Sequence, residues 1–227
     1  MCICREPSPD GGVGPGAPGS DLDRIRKALI DLVAEKGYEE VTIAMVVDRA
    51  GVPRSTFDDA FPDLESCVGW AYEEIAREYD PVVLAAFCEH SDWRDSIRAA
   101  AYTSARFIEE RPNEVRFGVT EILRAGPMAQ VVRERHLQRM VDLIDAARGE
   151  LDDPDSVDRS VAEGVVGAIY NKITVELQRR RSRRLAAADV VADMMYIAVG
   201  PYFGQAAARE ELRRGPEDRR AYERGEL

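Results

Sequence analysis

Histidine is nearly missing from this chain: His90 and His136 are the only two among 227 residues. That excludes an HExxH helix and any histidine cluster for a metal. Cys88 and His90 stand two apart, which on a helix turns them to different faces, and no further ligand pair accompanies them. A Walker A loop and a GxSxG elbow are absent, so no cofactor or metal is expected. No apolar run approaches the roughly 18 residues that span a bilayer. The opening MCICREPSPDGG lacks the apolar core of a secretory signal. Of four cysteines, Cys2 and Cys4 lie in that opening stretch and Cys67 and Cys88 in helical patterns. This is no disulfide framework, and a reducing cytoplasm fits it best. Positive charge is short as well: 31 Lys and Arg stand against 42 Asp and Glu, a net −11. A purely electrostatic nucleic-acid binder would show the opposite balance.

What is present is helix. The composition, 45% hydrophobic and 32% charged, is that of a globular chain with ample material for a core. Residues 5–20 hold five Gly and four Pro and little to bury, so 1–20 reads as a disordered tail. After a cap at Ser20 or Asp21, Leu22, Ile25, Leu29, Leu32 and Val33 form one stripe of a 3.6-residue repeat, closed by Gly37. A second helix follows the cap Thr42, a third starts at Pro53, and Asp63 caps a much longer one. Further helices are expected at 64–88, 92–110, 113–125, 127–150, 155–181 and 187–213, with Asp92 and Asn113 as caps and Pro127 and Pro154 as starts. Pro201 should kink the last helix, and the polar stretch from Gly215 should fray. The expected architecture is all-α: a three-helix unit over 21–66, a larger helical domain over 67–213, and a polar tail over 214–227.

The three-helix unit carries the functional signal. In TIAMVVDRAGV (42–52) a helix ends at Ala50-Gly51-Val52 and another begins after a short turn. Gly51 supplies backbone freedom, Ala50 permits close approach, and Val52 plugs the angle. A helix-turn-helix of this kind presents its second helix to the DNA major groove. Over 21–68 the chain resembles the TetR/AcrR family of bacterial regulators, through Gly37-Tyr38, Val41-Thr42-Ile43, Ala50-Gly51-Val52, Arg54, Thr56-Phe57, Phe61-Pro62 and Glu65. The resemblance implies a homodimer that binds operator DNA through the N-terminal domain. It implies a C-terminal domain with a small-molecule effector pocket and a dimer interface built by the last two long helices. The expected function is therefore a cytoplasmic, ligand-responsive repressor.

Departures from the family pattern are informative. Asp58 stands where the family usually has a phosphate-binding Tyr, Asp59 follows it, Leu64 replaces a common Lys, and Ala44 a base-reading Arg. Residues 21–66 hold six basic and eleven acidic side chains, a net −5. Arg54, Ser55, Thr56 and Thr42 remain as DNA-facing donors. Phe57 and Phe61 at i, i+4 read as core, and Arg49 and Lys27 as surface ion pairs. In the larger domain, the polar and aromatic residues within apolar helices are the effector candidates: Tyr102, Arg106, Phe117, Glu121, His136, Met140, Tyr170 and Asn171. The small and polar stripe Ser160, Gly164, Gly167, Asn171, Thr174 and Gln178 suits a subunit interface. The run Arg179 to Arg184 reads as a solvated connection. Two other readings stay open: a small-molecule binding protein that has lost specific DNA recognition, and a helical enzyme using Glu121 or His136 as acid or base. If Asp58 opposes a phosphate, Asp58→Tyr tightens DNA binding across all sequences in a filter or fluorescence assay. An unchanged affinity would mean that Asp58 is engaged elsewhere.

Overall fold

The computed structural model describes residues 19–179 and 188–226, and every regular element among them is helical. The stretch 5–18 and the arginine run from 180 onward lie outside the described residues. Among the described residues there are nine α-helices: α1 Asp21–Lys36, α2 Ile43–Ala50, α3 Arg54–Ala60, α4 Leu64–Cys88, α5 Trp93–Glu110, α6 Pro112–Arg116, α7 Pro127–Asp145, α8 Ser160–Arg179 and α9 Ala188–Glu223. They fall into two compact units. One comprises the described residues up to Glu78 together with Pro112–His136; the other comprises Tyr79–Arg111 and the described residues from Leu137 onward. Helix α4 passes from the first unit to the second at Tyr79.

In the first unit the α1 stripe does what its spacing predicts. Ile25, Leu29, Leu32 and Val33 are at most 2% exposed and α1 packs along α2. Val46, Phe57 and Phe61 complete the core, with Phe57 against Phe61 at 5.3 Å and Phe61 against Trp70 at 5.1 Å between ring centroids. Each such side chain contributes about 1.5–3 kcal/mol by leaving water. Caps set the helix starts: the Ser20 hydroxyl accepts from the Asp23 amide, Thr42 from Met45, and the Asp63 carboxylate from Ser66.

The expected helix 113–125 is not one helix. Pro112 rather than Asn113 opens it, and the Asn113 amide binds Asp31 on α1 instead. After Arg116 the backbone widens into a π turn over Phe117–Glu121 and tightens into a 3₁₀ turn over Ile122–Arg124. Gly118 lies under the Tyr72 ring, with only 3.1 Å between its would-be Cβ and that ring, so a side chain there would push the turn away. The expected helix 127–150 ends at Asp145 with a 3₁₀ turn over Ala146–Glu150. That expected over 155–181 begins only at Ser160, because Pro154 opens a separate short 3₁₀ turn capped by Asp153.

The second unit departs most from expectation at its end. Helix α9 does not merely kink at Pro201: the chain reverses at Gly204, where φ +80° and ψ 172° suit only glycine. The would-be Cβ of Gly200 lies 3.7 Å from the Ala208 Cβ, and that of Gly215 lies 2.6 Å from the Ala192 Cβ. A straight helix would hold Ala192 and Gly215 about 34 Å apart. The two arms of α9 are therefore an antiparallel hairpin, closely packed because small residues line the seam. Nor does the chain fray from Gly215; it stays helical to Glu223. Three anchors explain this. The Glu211 carboxylate, 1% exposed, accepts from Arg94 and Arg98 of α5, and Asp218 lies 3.3 Å from the Arg98 Nε. Tyr222 stacks on Tyr102 at 5.2 Å. Its hydroxyl donates to Glu109, whose other oxygen accepts from the Ala188 amide. Trp93 of α5 adds an indole bond to the Leu143 carbonyl and lies 5.8 Å from both the Tyr202 and Phe203 rings. Glu211→Ala leaves the buried Nη2 of Arg98 without its acceptor and should lower stability by about 3–5 kcal/mol in denaturant unfolding. A loss below about 1 kcal/mol would show that the pair does not hold the second arm.

Candidate nucleic-acid interface

The turn between α2 and α3 is built from backbone requirements. Gly51 takes the left-handed conformation, φ 64° and ψ 39°. Its amide bonds the Asp48 carbonyl, and the Val52 amide reaches back to the Val47 carbonyl. Val52 and Ala50 are buried beneath the turn. Pro53 sits just outside α3 rather than in its first turn. From α1, Arg24 places Nη1 at 3.4 Å from the Ala50 carbonyl and 3.3 Å from that of Gly51, satisfying acceptors that end α2. Asp21 binds the other terminal nitrogen of the same guanidinium. Arg24 thus braces the turn, a role that no local pattern announces because its partners lie 26 and 27 residues away.

On this frame Arg54, Ser55, Asp58 and Asp59 are exposed, Thr56 is half-buried, and Phe57 fills the core. Thr42 is exposed at the start of α2. Its oxygen accepts the Met45 amide, and its hydroxyl hydrogen stays available to a phosphate. The basic side chains of this region are mostly spent on carboxylates. Arg49 makes two bonds to Glu35, Lys27 binds Asp31, Arg26 binds Glu78 and Asp23, and Arg54 donates from Nε to Asp58 at 2.7 Å. Hydrogen bonding from Arg49 holds the Glu35 carboxyl below its ordinary range, as the Ser66 amide and hydroxyl do for Asp63. Both contributions are present above the ordinary carboxylate range and are lost as pH falls through these lowered values.

The effector candidates divide between the two units. Phe117, Glu121 and His136 belong to the helix-turn-helix unit; Tyr102, Arg106, Met140, Tyr170 and Asn171 belong to the other. Within the first, the His136 ring meets Tyr72 edge-on at 5.8 Å, and Tyr72 covers Gly118 of the π turn, beside the buried Phe117. Glu121, 6% exposed, accepts the Tyr38 amide at 3.2 Å, where α1 ends at the positive φ of Gly37. Within the second, Tyr102 and Arg106 meet on Tyr222, the guanidinium lying 5.6 Å from the ring centroid. Asn171 is exposed on α8, and Met140 and Tyr170 are half-buried. A second carboxylate with a backbone role is Glu65 of α4, which accepts the Met128 amide at 2.7 Å at the start of α7. The positive φ of Gly126 leaves the room that this carboxylate fills; a Cβ there would come within 2.5 Å of it. Glu65 and Glu121 thus tie the segment 112–136 to α4 and α1. Among the described residues no three His, Cys, Asp or Glu side chains group as a metal site, and no helix is long and apolar enough to cross a membrane.

The glycine turn between α2 and α3, with its arginine brace, is a helix-turn-helix. Residues 25–68 match the family model of bacterial regulatory proteins, tetR family. No curated protein is similar to it. Among solved structures it resembles the fatty acid degradation regulator FadR of Bacillus halodurans at 14% identity and a TM-score of 0.71, over 82% of this chain and 98% of that one. It also resembles FadR of Bacillus subtilis in complex with stearoyl-CoA, at 14% identity and a TM-score of 0.68, over 79% and 98%. A TetR-family transcription regulator of Marinobacter aquaeolei VT8 matches at 16% identity and a TM-score of 0.60, over 78% and 93%. At these identities the likeness is one of fold.

The Glu121 bond predicts a specific cost. Glu121→Ala leaves the Tyr38 amide without its acceptor and should destabilise the protein by about 1–3 kcal/mol. Glu121→Gln, which keeps an acceptor, should recover most of that in thermal melts. Equal losses would show that charge, not the amide bond, is what Glu121 supplies.

Proposed function

We propose that the chain is a ligand-responsive transcriptional regulator that binds operator DNA as a homodimer, most simply as a repressor. The observation that carries this reading is the helix-turn-helix itself. A glycine-turned, arginine-braced α3 displays Arg54, Ser55 and Thr56 outward while Phe57 anchors it, with Thr42 at the neighbouring helix start. Side chains so displayed suit a major groove, and two copies related by a twofold axis suit grooves about 34 Å apart. Dimerisation is assigned to the last two long helices. On α8, Ser160, Gly164, Gly167, Ala168 and Asn171 are exposed along one face, leaving space for the close approach of a second copy.

The effector is assigned to the helical bundle that follows the DNA-binding domain, residues 67–213. Two sets of contacts are proposed, each within one unit: Phe117, Glu121 and His136 in the first, and Tyr102, Arg106, Met140, Tyr170 and Asn171 in the second. The fold likeness to two FadR proteins, one of them crystallised with stearoyl-CoA, makes a long-chain acyl thioester the first effector to test. Helix α4 is the proposed transmitter, since it starts beside Phe61 and continues past Glu78. A ligand shifts the DNA-binding equilibrium only by its differential affinity for the two states.

One observation favours a second reading, a sensor of the same fold without specific DNA binding: the net −5 of residues 21–66, with the basic groups largely paired to carboxylates. Selection of random DNA fragments at about 50 mM salt, where phosphate contacts are least screened, separates the two. The regulator enriches a palindromic motif, and stearoyl-CoA at micromolar concentration releases it. Failure to enrich any motif, with stearoyl-CoA still bound, would leave the sensor.

A further inference from the structure

We infer that Asp58 is a positioning residue for DNA reading, which aims the Arg54 guanidinium so that its two terminal nitrogens address a guanine. This rests on the proposed DNA-binding function and names what α3 reads. The geometry begins with a choice of donor. Asp58 Oδ1 accepts from Nε of Arg54 at 2.7 Å, one turn apart on the same helix. Nε is the only guanidinium donor on the chain side of the group. With it taken, the group is oriented about its long axis, and Nη1 and Nη2 have no bond to any described residue. The guanidinium carbon lies 6.0 Å from the Phe57 ring centroid, a second support from a side chain that is 0% exposed. Two parallel terminal donors match the O6 and N7 acceptors of guanine in the major groove, the most frequent arginine contact to a base.

Helix stability does not explain the pair. Arg54 is the first residue of α3 and Asp58 lies in its last turn. A cation at the N-terminus and an anion near the C-terminus both oppose the helix dipole. Both side chains are about half exposed, 54% and 53%, where an ion pair contributes little to folding. An Asp at this place also repels phosphates, which weakens binding to all DNA alike. The same residue therefore lowers indiscriminate affinity and sharpens the reading of one base, a combination that suits an acidic domain with few phosphate contacts.

The test is selection from random DNA, followed by binding of the enriched site and its single-base variants, for the full-length wild type, Arg54→Ala, Asp58→Ala and Asp58→Asn. The wild type should require a guanine at one position in each half-site, by about ten- to a hundredfold over other bases. Arg54→Ala should abolish that requirement. Asp58→Ala should raise affinity for unrelated DNA and reduce the guanine preference at least several-fold. Asp58→Asn, which keeps an acceptor without the charge, should raise unrelated binding while retaining more of the preference. Matching thermal melts would show that all four fold alike. If Asp58→Ala tightens every sequence equally with the guanine preference intact, Asp58 is only a repelling charge and the inference fails. If the wild type enriches a palindrome in which no guanine depends on Arg54, the inference also fails while the regulator stands. If no variant enriches any motif, both fall; if only the Asp58 variants do, Asp58 blocks reading rather than aiming it.

Discussion

The left-handed backbone at Gly51 decides where α3 lies, and Arg54, Ser55 and Thr56 take their positions from that turn. Any side chain there would strain the backbone, since φ near +64° is a conformation L-residues rarely adopt. The turn is reinforced from two directions. Val52 and Ala50 are buried beneath it, and Arg24 binds the carbonyls of Ala50 and Gly51 from α1. An arginine serving backbone acceptors in this way is not available to phosphate. The domain thus invests one of its six basic side chains in the rigidity of the motif, and most of the others in surface pairs.

Carboxylates play the complementary part. Glu65 and Glu121 accept backbone amides at the starts of α7 and of the turn at Tyr38, and Glu211 sits in the second unit between two arginines. An acidic composition is therefore only partly surface charge. Some of it substitutes for hydrogen-bond partners that helix termini would otherwise lack. Burying Glu211 is tolerable because Arg94 and Arg98 both donate to it, and removing either side would expose the desolvation cost of the remainder.

What could be read from residue order alone was whatever depends on local spacing. The α1 stripe, the caps Ser20, Thr42, Asp63 and Asp92, the Gly51 turn and the buried Phe57–Phe61 pair are all set within a few residues. The reversal at Gly204 was not readable, because Pro201 and Gly200 announce a bend equally well, and only the Ala192–Gly215 approach distinguishes a hairpin from a kink. The helix beyond Gly215 was hidden for the same reason: its polar residues are anchored by Arg98, Tyr102 and Glu109, more than a hundred positions earlier. Among the site residues, the donor character of Arg54 and Thr42 was visible, whereas the bond from Arg54 to Asp58 makes the acidic departure from the family pattern intelligible only once the side chains are placed.

The account stands on α3 being a groove reader in a symmetric dimer. Hydroxyl-radical and methylation footprinting of a bound DNA fragment tests this most directly. Two protected major-groove segments centred about one helical turn apart, with guanine N7 shielded once in each, is the pattern this structure predicts. Uniform weak protection that vanishes with modest salt and shields no guanine would contradict it.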